Sequence, residues 1–415
     1  MTEPAQQPLQ APRGRSLGPG LLLAASGIGA GDVVVASVTG MRFGLTLLWA
    51  VVLTVVLKYV VTEALARWQL ATGETIARAW VTRLPRWAGA GFGLYLVFWT
   101  FMVGASLSSA CGIAGASLAG FGATAQWGAA HALVAAALVA GNRYTRFQKV
   151  MKALVAVMAV CVLGCAVLAA PSLGELLGGL AVPMIPPGGA AQVLALLGGI
   201  GGSLTVICYG YWMRGEGWRG AERLGAVRSD VRLAYVFTGL FGVALVVIAA
   251  GVEARGGGAR LALDVADRLG AVAGPWARVV FLLGFWCTVF TAMLGVWQGV
   301  PQIYTDIVDA WRGASGGKVG VNHGRERAVR LGALGFLAGP PLLLLWHKEP
   351  VAVVVAFSIT GAFVMPFLAA TLLYLNNCRE WMGTLANGRA GNAALVLSLL
   401  AFGAVCVAEI LKAAR

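Results

Sequence analysis

The chain has 415 residues, of which 59% are hydrophobic and 12% are charged, and 58 of them are glycine. Soluble domains carry about 25% charged residues, so this composition excludes an ordinary soluble globular protein. The net charge of +14 could suit a nucleic-acid partner, but most of the cations lie in the loops or at the ends of the apolar stretches, as a membrane topology requires.

Eleven apolar stretches follow one another along the chain, most of them long enough to cross about 30 Å of hydrocarbon. They lie at approximately 18–39, 44–66, 89–118, 125–141, 147–170, 190–213, 231–253, 275–300, 328–347, 350–375 and 391–412. Backbone polar groups in lipid must be paired internally, and stretches of this length without period-2 alternation achieve that as helices. The sequence therefore predicts an all-α polytopic membrane protein with about 11 transmembrane helices.

The loops also predict the orientation of the chain. Residues 1–17 are polar, contain Pro8 and Pro12 and lack the apolar core of a signal peptide, which favours a disordered cytoplasmic tail. With alternate loops assigned to opposite sides, 22 of the 31 cations share the side of the N-terminus and 8 lie on the other. This bias predicts a cytoplasmic N-terminus and a C-terminus outside, in a bacterial inner membrane.

Glycine clusters interrupt the first and the sixth stretch. SGIGAGDV at 26–33 and GGIGGSLTV at 198–206 favour local unwinding, because each glycine costs a helix interior about 1 kcal/mol relative to alanine. Close packing of two helices would explain either cluster alone. Spans one and six are five apart, so equivalent elements would enter the membrane from opposite sides. The pair therefore predicts an inverted 5+5 repeat whose discontinuous helices 1 and 6 meet at the midplane and form the substrate site.

The predicted organisation is a single transmembrane domain over 18–412. Repeat one would occupy about 18–170 and repeat two about 190–375, followed by an extra helix at 391–412.

The first two spans contain charged residues, and we expect different roles for them: a functional role in the first span and structural roles in the second. Asp32 is the only acidic residue of the first span, and a carboxylate at the bilayer centre costs about 3 kcal/mol unless a cation, a proton or a partner accompanies it. We favour a functional role, since unwound backbone beside it would add free carbonyl groups; a protonated or arginine-paired structural aspartate is the alternative. In the second span, Glu63 is expected to pair with Arg67, and Lys58 to extend its amine towards the interface.

Pieces spread over nearly the whole chain carry a family resemblance. They are GPGLLLA at 18–24, FGLTLLW at 43–49, LATGETI at 70–76, FQKVMKALVAVMAVCVL at 147–163, GPWARVVF at 274–281, MPF at 365–367 and NNCREWMG at 376–383. In order, spacing and number of spans, the series resembles the natural resistance-associated macrophage protein (Nramp) family of proton-coupled divalent metal transporters. The resemblance implies a secondary transporter that binds a divalent metal ion of the Mn, Fe or Mg type between helices one and six.

The metal-binding motifs of the family are altered in this sequence. Its Asp-Pro-Gly-Asn element falls on 29–32, which moves the carboxylate from the first position to the fourth, Asp32. Its Ala-x-x-Met-Pro-His element falls on 202–207, where the Thr205 hydroxyl replaces the soft thioether. Oxygen ligands suit Mg²⁺, Ca²⁺ or Mn²⁺, or a hydrated ion, although a rotated helix would let Cys208 restore a soft ligand. The expected substrate site comprises Asp32, Gly29, Gly31, Gly202, Thr205, Cys208 and Tyr209.

The resemblance also assigns residues to a pathway or gate. The acids that help move protons on the family's third helix correspond to Ser106 and Ser109, so proton coupling in its family form is not expected. The family's glutamines on helices eight and ten correspond to Gln302 and Ser358. An ordinary amide on such a helix would bond to a neighbouring helix.

The segment CYGYWMRGEGW at 208–218 has two interpretations. It is either an aromatic belt with an interfacial ion pair, or a gate in which Tyr209 faces the site and Arg214 pairs with Glu216.

Other functions stay open. On the same fold, the chain could be a cation-coupled carrier of a small organic solute, with Asp32 holding the coupling ion. A channel or a non-transporting sensor is a rival from another class. An enzyme is not expected, because the spans contain no His-rich metal motif, phosphate loop or Ser/His/Asp set. No cofactor beyond the transported metal ion and no nucleic-acid partner are expected, and the sequence leaves the oligomeric state open.

Overall fold

The structure is a computed structural model that describes residues 18–141, 144–169, 172–253, 255, 257–314, 323–347, 357, 360–361 and 363–413. The tail predicted at 1–17 and the site prediction at Ser358 lie outside the described residues.

Helices make up most of the described part of the chain. They are α1 Pro19–Gly27, α2 Ala30–Phe43, α3 Leu48–Thr72, α4 Ile76–Thr82, α5 Arg86–Ala119, α6 Thr124–Ala140, α7 Tyr144–Leu168, α8 Leu173–Ala181, α9 Gly189–Gly199, α10 Thr205–Gly215, α11 Leu224–Ala249, α12 Leu261–Ala273, α13 Pro275–Ala314, α14 His323–Ala338, α15 Leu343–His347, α16 Val364–Leu375, α17 Arg379–Met382 and α18 Arg389–Ala413. Short 3₁₀ turns lie at Ala221–Arg223, Gly258–Arg260, Pro340–Leu342 and Gly383–Leu385.

The long helices have the composition of membrane spans. Within the described ranges, 7 helical segments are long and apolar enough to cross a membrane, formed by α3, α5, α7, α11, α13, α14 with its continuation, and α18. The pair α1 and α2 passes the same test as one span bent by 59°, and α6, α9 and α16 are shorter apolar helices. Each of the eleven predicted stretches thus contains one of these helices, which confirms the all-α polytopic class.

Helix α13 is the central packing element of the bundle. It contacts α5, α7 and α12 extensively. It also packs on α1, which precedes the first break, and on α10, which follows the second. At 40 residues it runs well beyond the predicted stretch 275–300, because the helix continues through Pro301. The breaks are therefore held against a long, continuous helix.

Glycines let several helices approach each other closely. A Cβ built on Gly40 of α2 would lie 2.3 Å from the Val246 oxygen of α11, and one on Gly112 of α5 would lie 2.2 Å from the Thr124 oxygen of α6. Close packing, the alternative role of membrane glycines, therefore also occurs in this bundle.

The two discontinuous helices are those that the sequence predicts. Helix one is interrupted between α1 and α2, and helix six between α9 and α10. The fold is the inverted 5+5 repeat of secondary transporters. The numerical boundaries of the two repeats stay a prediction.

Candidate metal transport site

The break in helix one spans two residues and is capped by its own chain. Helix α1 ends at Gly27, Ile28 and Gly29 adopt extended backbone, and α2 begins at Ala30. The Asp32 carboxylate, in the first turn of α2, accepts a hydrogen bond from the Gly29 N–H at 2.9 Å. A carboxylate there caps a free backbone donor and suits the positive end of the helix dipole.

The break in helix six is longer and depends on other helices. Residues 200–204 separate α9 from α10, and Gly201 and Gly202 have φ of +81° and +72°, in the left-handed region that favours glycine. The Gly201 N–H donates to Asp32 Oδ1 at 2.6 Å. Lys58 Nζ donates to the carbonyl oxygen of Ile200 and, at 2.5 Å, to that of Gly202. Side chains of opposite charge therefore pair the polar groups that unwinding leaves free.

The two breaks touch each other. A Cβ built on Gly27 would lie 3.3 Å from the carbonyl carbon and oxygen of Gly201, and one on Gly202 would lie 2.9 Å from the Gly27 Cα. Asp32, only 4% exposed, accepts one backbone N–H from each break. The predicted meeting of two unwound segments around one carboxylate is confirmed. Among the described residues, no arginine pairs with Asp32, as it would if Asp32 were an arginine-paired structural aspartate.

A cavity of about 50 Å³ lies at this junction. Asp32 and Thr205 line it from helices one and six, and Trp99, Leu107 and Val296 contribute to an apolar wall. The Thr205 hydroxyl is buried and has no hydrogen-bond partner among the described residues. A buried hydroxyl usually has a partner, so this orphaned group indicates a ligand or ordered water in the cavity. Gly29, Gly31 and Gly202 also line it, as expected.

Two predicted ligands lie elsewhere. A Cβ built on Gly299 of α13 would lie 2.5 Å from Cys208 Sγ, so the thiol packs between helices. The Tyr209 hydroxyl donates to Asp230 of α11 at 3.0 Å, and neither residue lines the cavity. The expectations that Cys208 offers a soft ligand and that Tyr209 faces the site are wrong in this structure. The helix is not rotated as a Cys208 ligand would need, and Tyr209 lies one turn beyond Thr205, where α11 supplies an acceptor.

The predicted pair of Arg214 and Glu216 does not form. Arg214 instead pairs with Asp306 of α13 at 3.2 Å, and Glu216 accepts a hydrogen bond from Gln148 of α7 at 2.6 Å. Residues two apart at the end of a helix do not face each other, whereas partners on neighbouring helices are available. Both residues still tie α10 to the scaffold at the end of the bundle where helix six finishes.

The predicted pathway residues Gln302, Ser106 and Ser109 do not line the cavity. Gln302 donates to the Gln298 carbonyl one turn back on α13, at 3.0 Å, and lines a separate cavity of about 390 Å³ with Arg214. Ser106 and Ser109 are fully buried on α5, and the Ser106 hydroxyl has no partner among the described residues. Neither serine lines the cavity.

Sequence reasoning missed the role of Lys58. Its side chain is 0% exposed and reaches the break of helix six, so the expectation that it extends to the interface is wrong. A signal was available in the sequence, because Lys58 is 8 residues from the nearer end of the predicted stretch 44–66. At 1.5 Å per residue that is about 12 Å, beyond the reach of a lysine side chain. The expected pair of Glu63 and Arg67 is confirmed at 2.8 Å.

The chemistry of the junction is that of a weakly charged oxygen site. In the part of the chain that the structure describes, no group of three or more His, Cys, Asp and Glu residues could hold a metal ion. An ion here would meet one carboxylate, a hydroxyl, backbone oxygens and water, and oxygen ligands suit hard divalent ions.

Comparisons with known proteins agree with this geometry. Residues 20–412 match the model of the Nramp family, described as natural resistance-associated macrophage protein-like. No curated protein sequence matches the chain.

Solved structures share the fold. The manganese transporter of Eremococcus coleocola, in complex with an aromatic bis-isothiourea substituted compound, has a TM-score of 0.73 at 15% identity, covering 96% of this chain and 88% of that one. A mutant of the same transporter gives 0.74 at 14% identity, covering 95% and 85%. A nucleobase-cation-symport-1 family transporter in a closed conformation gives 0.57 at 13%, covering 96% and 93%. Because the family model matches residues 20–412, the chain belongs to the Nramp family of divalent metal ion transporters.

Proposed function

We propose that the chain binds its divalent metal ion between the breaks of helices one and six and moves it across the membrane by alternating access. The observation that carries the proposal is that the Asp32 carboxylate and the unpartnered Thr205 hydroxyl line one cavity where the unwound segments meet. Rocking of helices one and six against the remaining helices would expose this point to each side of the membrane in turn.

The ligands available favour a hard ion. Each oxygen of Asp32 accepts one backbone N–H and keeps acceptor capacity for a cation. The cavity of about 50 Å³ is large enough to hold ordered water, which fits an ion that keeps part of its hydration shell. We therefore propose Mg²⁺, Mn²⁺ or Ca²⁺ as cargo, since no soft ligand reaches the cavity among the described residues.

Uptake into proteoliposomes tests the function. Purified protein is reconstituted and offered Mg²⁺, Mn²⁺, Ca²⁺ and Cd²⁺, each over a concentration series. A carrier shows saturable uptake of at least one hard ion, and Cd²⁺ is not favoured over the others. Uptake that fails to saturate at millimolar concentrations would indicate a channel, and no uptake of any metal would contradict the proposal.

A second candidate is a cation-coupled carrier of a small organic solute. Two observations favour it. The Lys58 amine already occupies carbonyl oxygens that a bound cation could use, and the buried indole N–H of Trp99, a residue lining the cavity, has no partner among the described residues. Such a donor can bond to a solute carboxylate but cannot ligate a metal ion. Uptake of labelled amino acids without uptake of any metal would establish this function instead.

The same proposal includes orientation and partners. The cation bias of the loops supports a cytoplasmic N-terminus and an outside C-terminus. The membrane that we propose is a bacterial inner membrane. The transported ion and the lipid bilayer are the proposed partners, and no nucleic acid is among them. We also propose that the protein has no enzymatic activity and no resident cofactor. Reporter fusions at the two termini test the orientation, and reporters that are active on the same side of the membrane would contradict it.

A further inference from the structure

Lys58 occupies an unusual position for a lysine. It lies in α3, is fully buried, and donates hydrogen bonds to the carbonyl oxygens of Ile200 and Gly202. Its Cδ would lie 3.4 Å from a Cβ built on Gly201, so the side chain runs directly along the unwound peptide. The residue between its two acceptors is the one whose N–H donates to Asp32.

This arrangement places a positive charge behind the transport site. Lys58 and Asp32 attract each other across the Gly201 peptide unit, so the lysine offsets the only acidic side chain that lines the cavity among the described residues. A divalent ion entering the cavity then meets a site with a net charge near zero. Two unit charges of like sign at close range repel strongly where water is excluded.

The lysine also controls backbone ligands. A carbonyl oxygen that accepts from an ammonium group can bind a metal ion as well only if two cations share that oxygen, which their repulsion opposes. While Lys58 holds Gly202, helix six offers the cargo mainly the Thr205 hydroxyl. We propose that Lys58 is a tethered cation that withholds the helix-six carbonyl oxygens from the metal ion and thereby sets the affinity of the site for divalent ions.

This inference rests on the proposed function. The direction in which metal affinity changes on removal of Lys58 separates it from a purely structural role. Removal of a lysine that merely supports the fold would weaken metal binding. Removal of a tethered competitor strengthens binding, even though two buried carbonyls lose a donor and the empty protein becomes less stable.

The experiment uses purified full-length protein in detergent. Isothermal titration with MnCl₂ and with MgCl₂ compares wild type, Lys58→Met and Lys149→Met. Methionine keeps much of the aliphatic length without the charge. Lys149→Met is the matched control, because it removes an exposed ammonium group from α7. We expect Lys58→Met to bind at least about tenfold more tightly than wild type, and Lys149→Met to bind like wild type.

Thermal melting with and without metal shows whether each variant is folded. A ligand that binds only the folded state stabilises it more at a given concentration when its Kd is lower, so the metal-dependent rise in Tm is larger in Lys58→Met than in wild type. Should Lys58→Met be unfolded, Lys58→Gln carries the same test, since its amide can still donate to one carbonyl without a charge.

The outcomes distinguish the two claims. Wild type that binds metal, with a folded Lys58 variant that binds equally or more weakly, overturns the role of Lys58 and leaves the proposed function standing. Metal binding by the Lys58 variant alone contradicts the proposed function of the wild type and supports the role of Lys58. Binding by neither protein overturns both.

Discussion

The two breaks at the centre of the molecule are built in different ways. Helix one is interrupted by two residues with ordinary backbone, and its cap, Asp32, lies three positions along the same chain. Helix six is interrupted by five residues, two of them left-handed glycines, and its polar groups are paired by Asp32 and Lys58, which are 169 and 142 residues away in sequence. The first break is a local structure, whereas the second exists only where three helices meet.

This difference has a consequence for transport. A rearrangement of helix one can keep its own cap, because donor and acceptor move together. A movement of helix six relative to helices one and two must break bonds from Asp32 or Lys58. We therefore expect the break in helix six to change most between the two orientations of the carrier, and substitutions there to act on both affinity and stability.

Replacement of Asp32 tests the residue that both breaks share. Asp32→Asn removes the charge that faces the cavity and turns one acceptor into a donor that opposes a backbone N–H. We expect metal uptake to be lost and metal affinity to fall on the order of 100-fold, with the protein still folded and inserted. Uptake into proteoliposomes and thermal melting provide the measurements.

The control for this change is Asp267→Asn. Asp267 is an exposed carboxylate of α12 that pairs with Arg278 at 2.8 Å, so its amide variant should transport like wild type. Unchanged uptake by Asp32→Asn would remove Asp32 from the mechanism.

Alanine at the two breaks tests whether helix six is the more constrained. Gly202 has φ of +72°, which an alanine rarely adopts, and a Cβ built there would lie 2.3 Å from Thr205 Oγ1. At Gly29, φ is −140° and the Cβ would lie 3.3 Å from the Ala292 Cβ. We expect Gly202→Ala to destabilise the protein by about 2 kcal/mol or more, and Gly29→Ala by clearly less.

Thermal melting ranks these variants. Gly164→Ala is a suitable reference, because it lies within α7 and a Cβ there would meet nothing within 4 Å. Equal losses at Gly202 and Gly29 would show that the two breaks are equally constrained.

The Thr205 hydroxyl tests the ligand supplied by helix six. Thr205→Val keeps the shape of the side chain and removes a buried hydroxyl that has no partner among the described residues. Stability should be unchanged or slightly increased, because no protein hydrogen bond is lost, whereas metal affinity should fall about tenfold. Thr54→Val, which removes a hydroxyl that donates to the Ala50 oxygen within α3, should leave affinity unchanged. Equal affinities of Thr205→Val and wild type would exclude the hydroxyl as a ligand.

Tyr209 gives the smallest expected effect. Tyr209→Phe removes the hydrogen bond to Asp230, which still accepts from the Gly20 N–H at 2.6 Å. Metal affinity should stay within about twofold of wild type, while the transport rate changes a few-fold, because one tie between α10 and α11 is worth about 1 kcal/mol. Titration and uptake measure the two quantities separately. A tenfold loss of affinity would show that Tyr209 faces the ion, as the sequence predicted.

The sequence contains the local features of this protein but not the contacts between helices. Hydropathy identifies the spans, and glycine clusters beside Asp32 and around Gly201 locate the breaks, because both are properties of consecutive residues. The partners of Arg214 and Tyr209 depend on which helix faces which, and that is decided by packing over the whole bundle. Lys58 shows most clearly what the sequence cannot predict. Its depth in the second span follows from the sequence, but the carbonyl oxygens to which it donates do not.

Anomalous diffraction from crystals of the protein soaked in MnCl₂ would locate the bound metal ion. We expect an anomalous peak in the cavity at the junction, within about 2.0–2.6 Å of an Asp32 carboxylate oxygen and near the Thr205 hydroxyl. A peak at another place in a protein that transports Mn²⁺ would contradict this expectation.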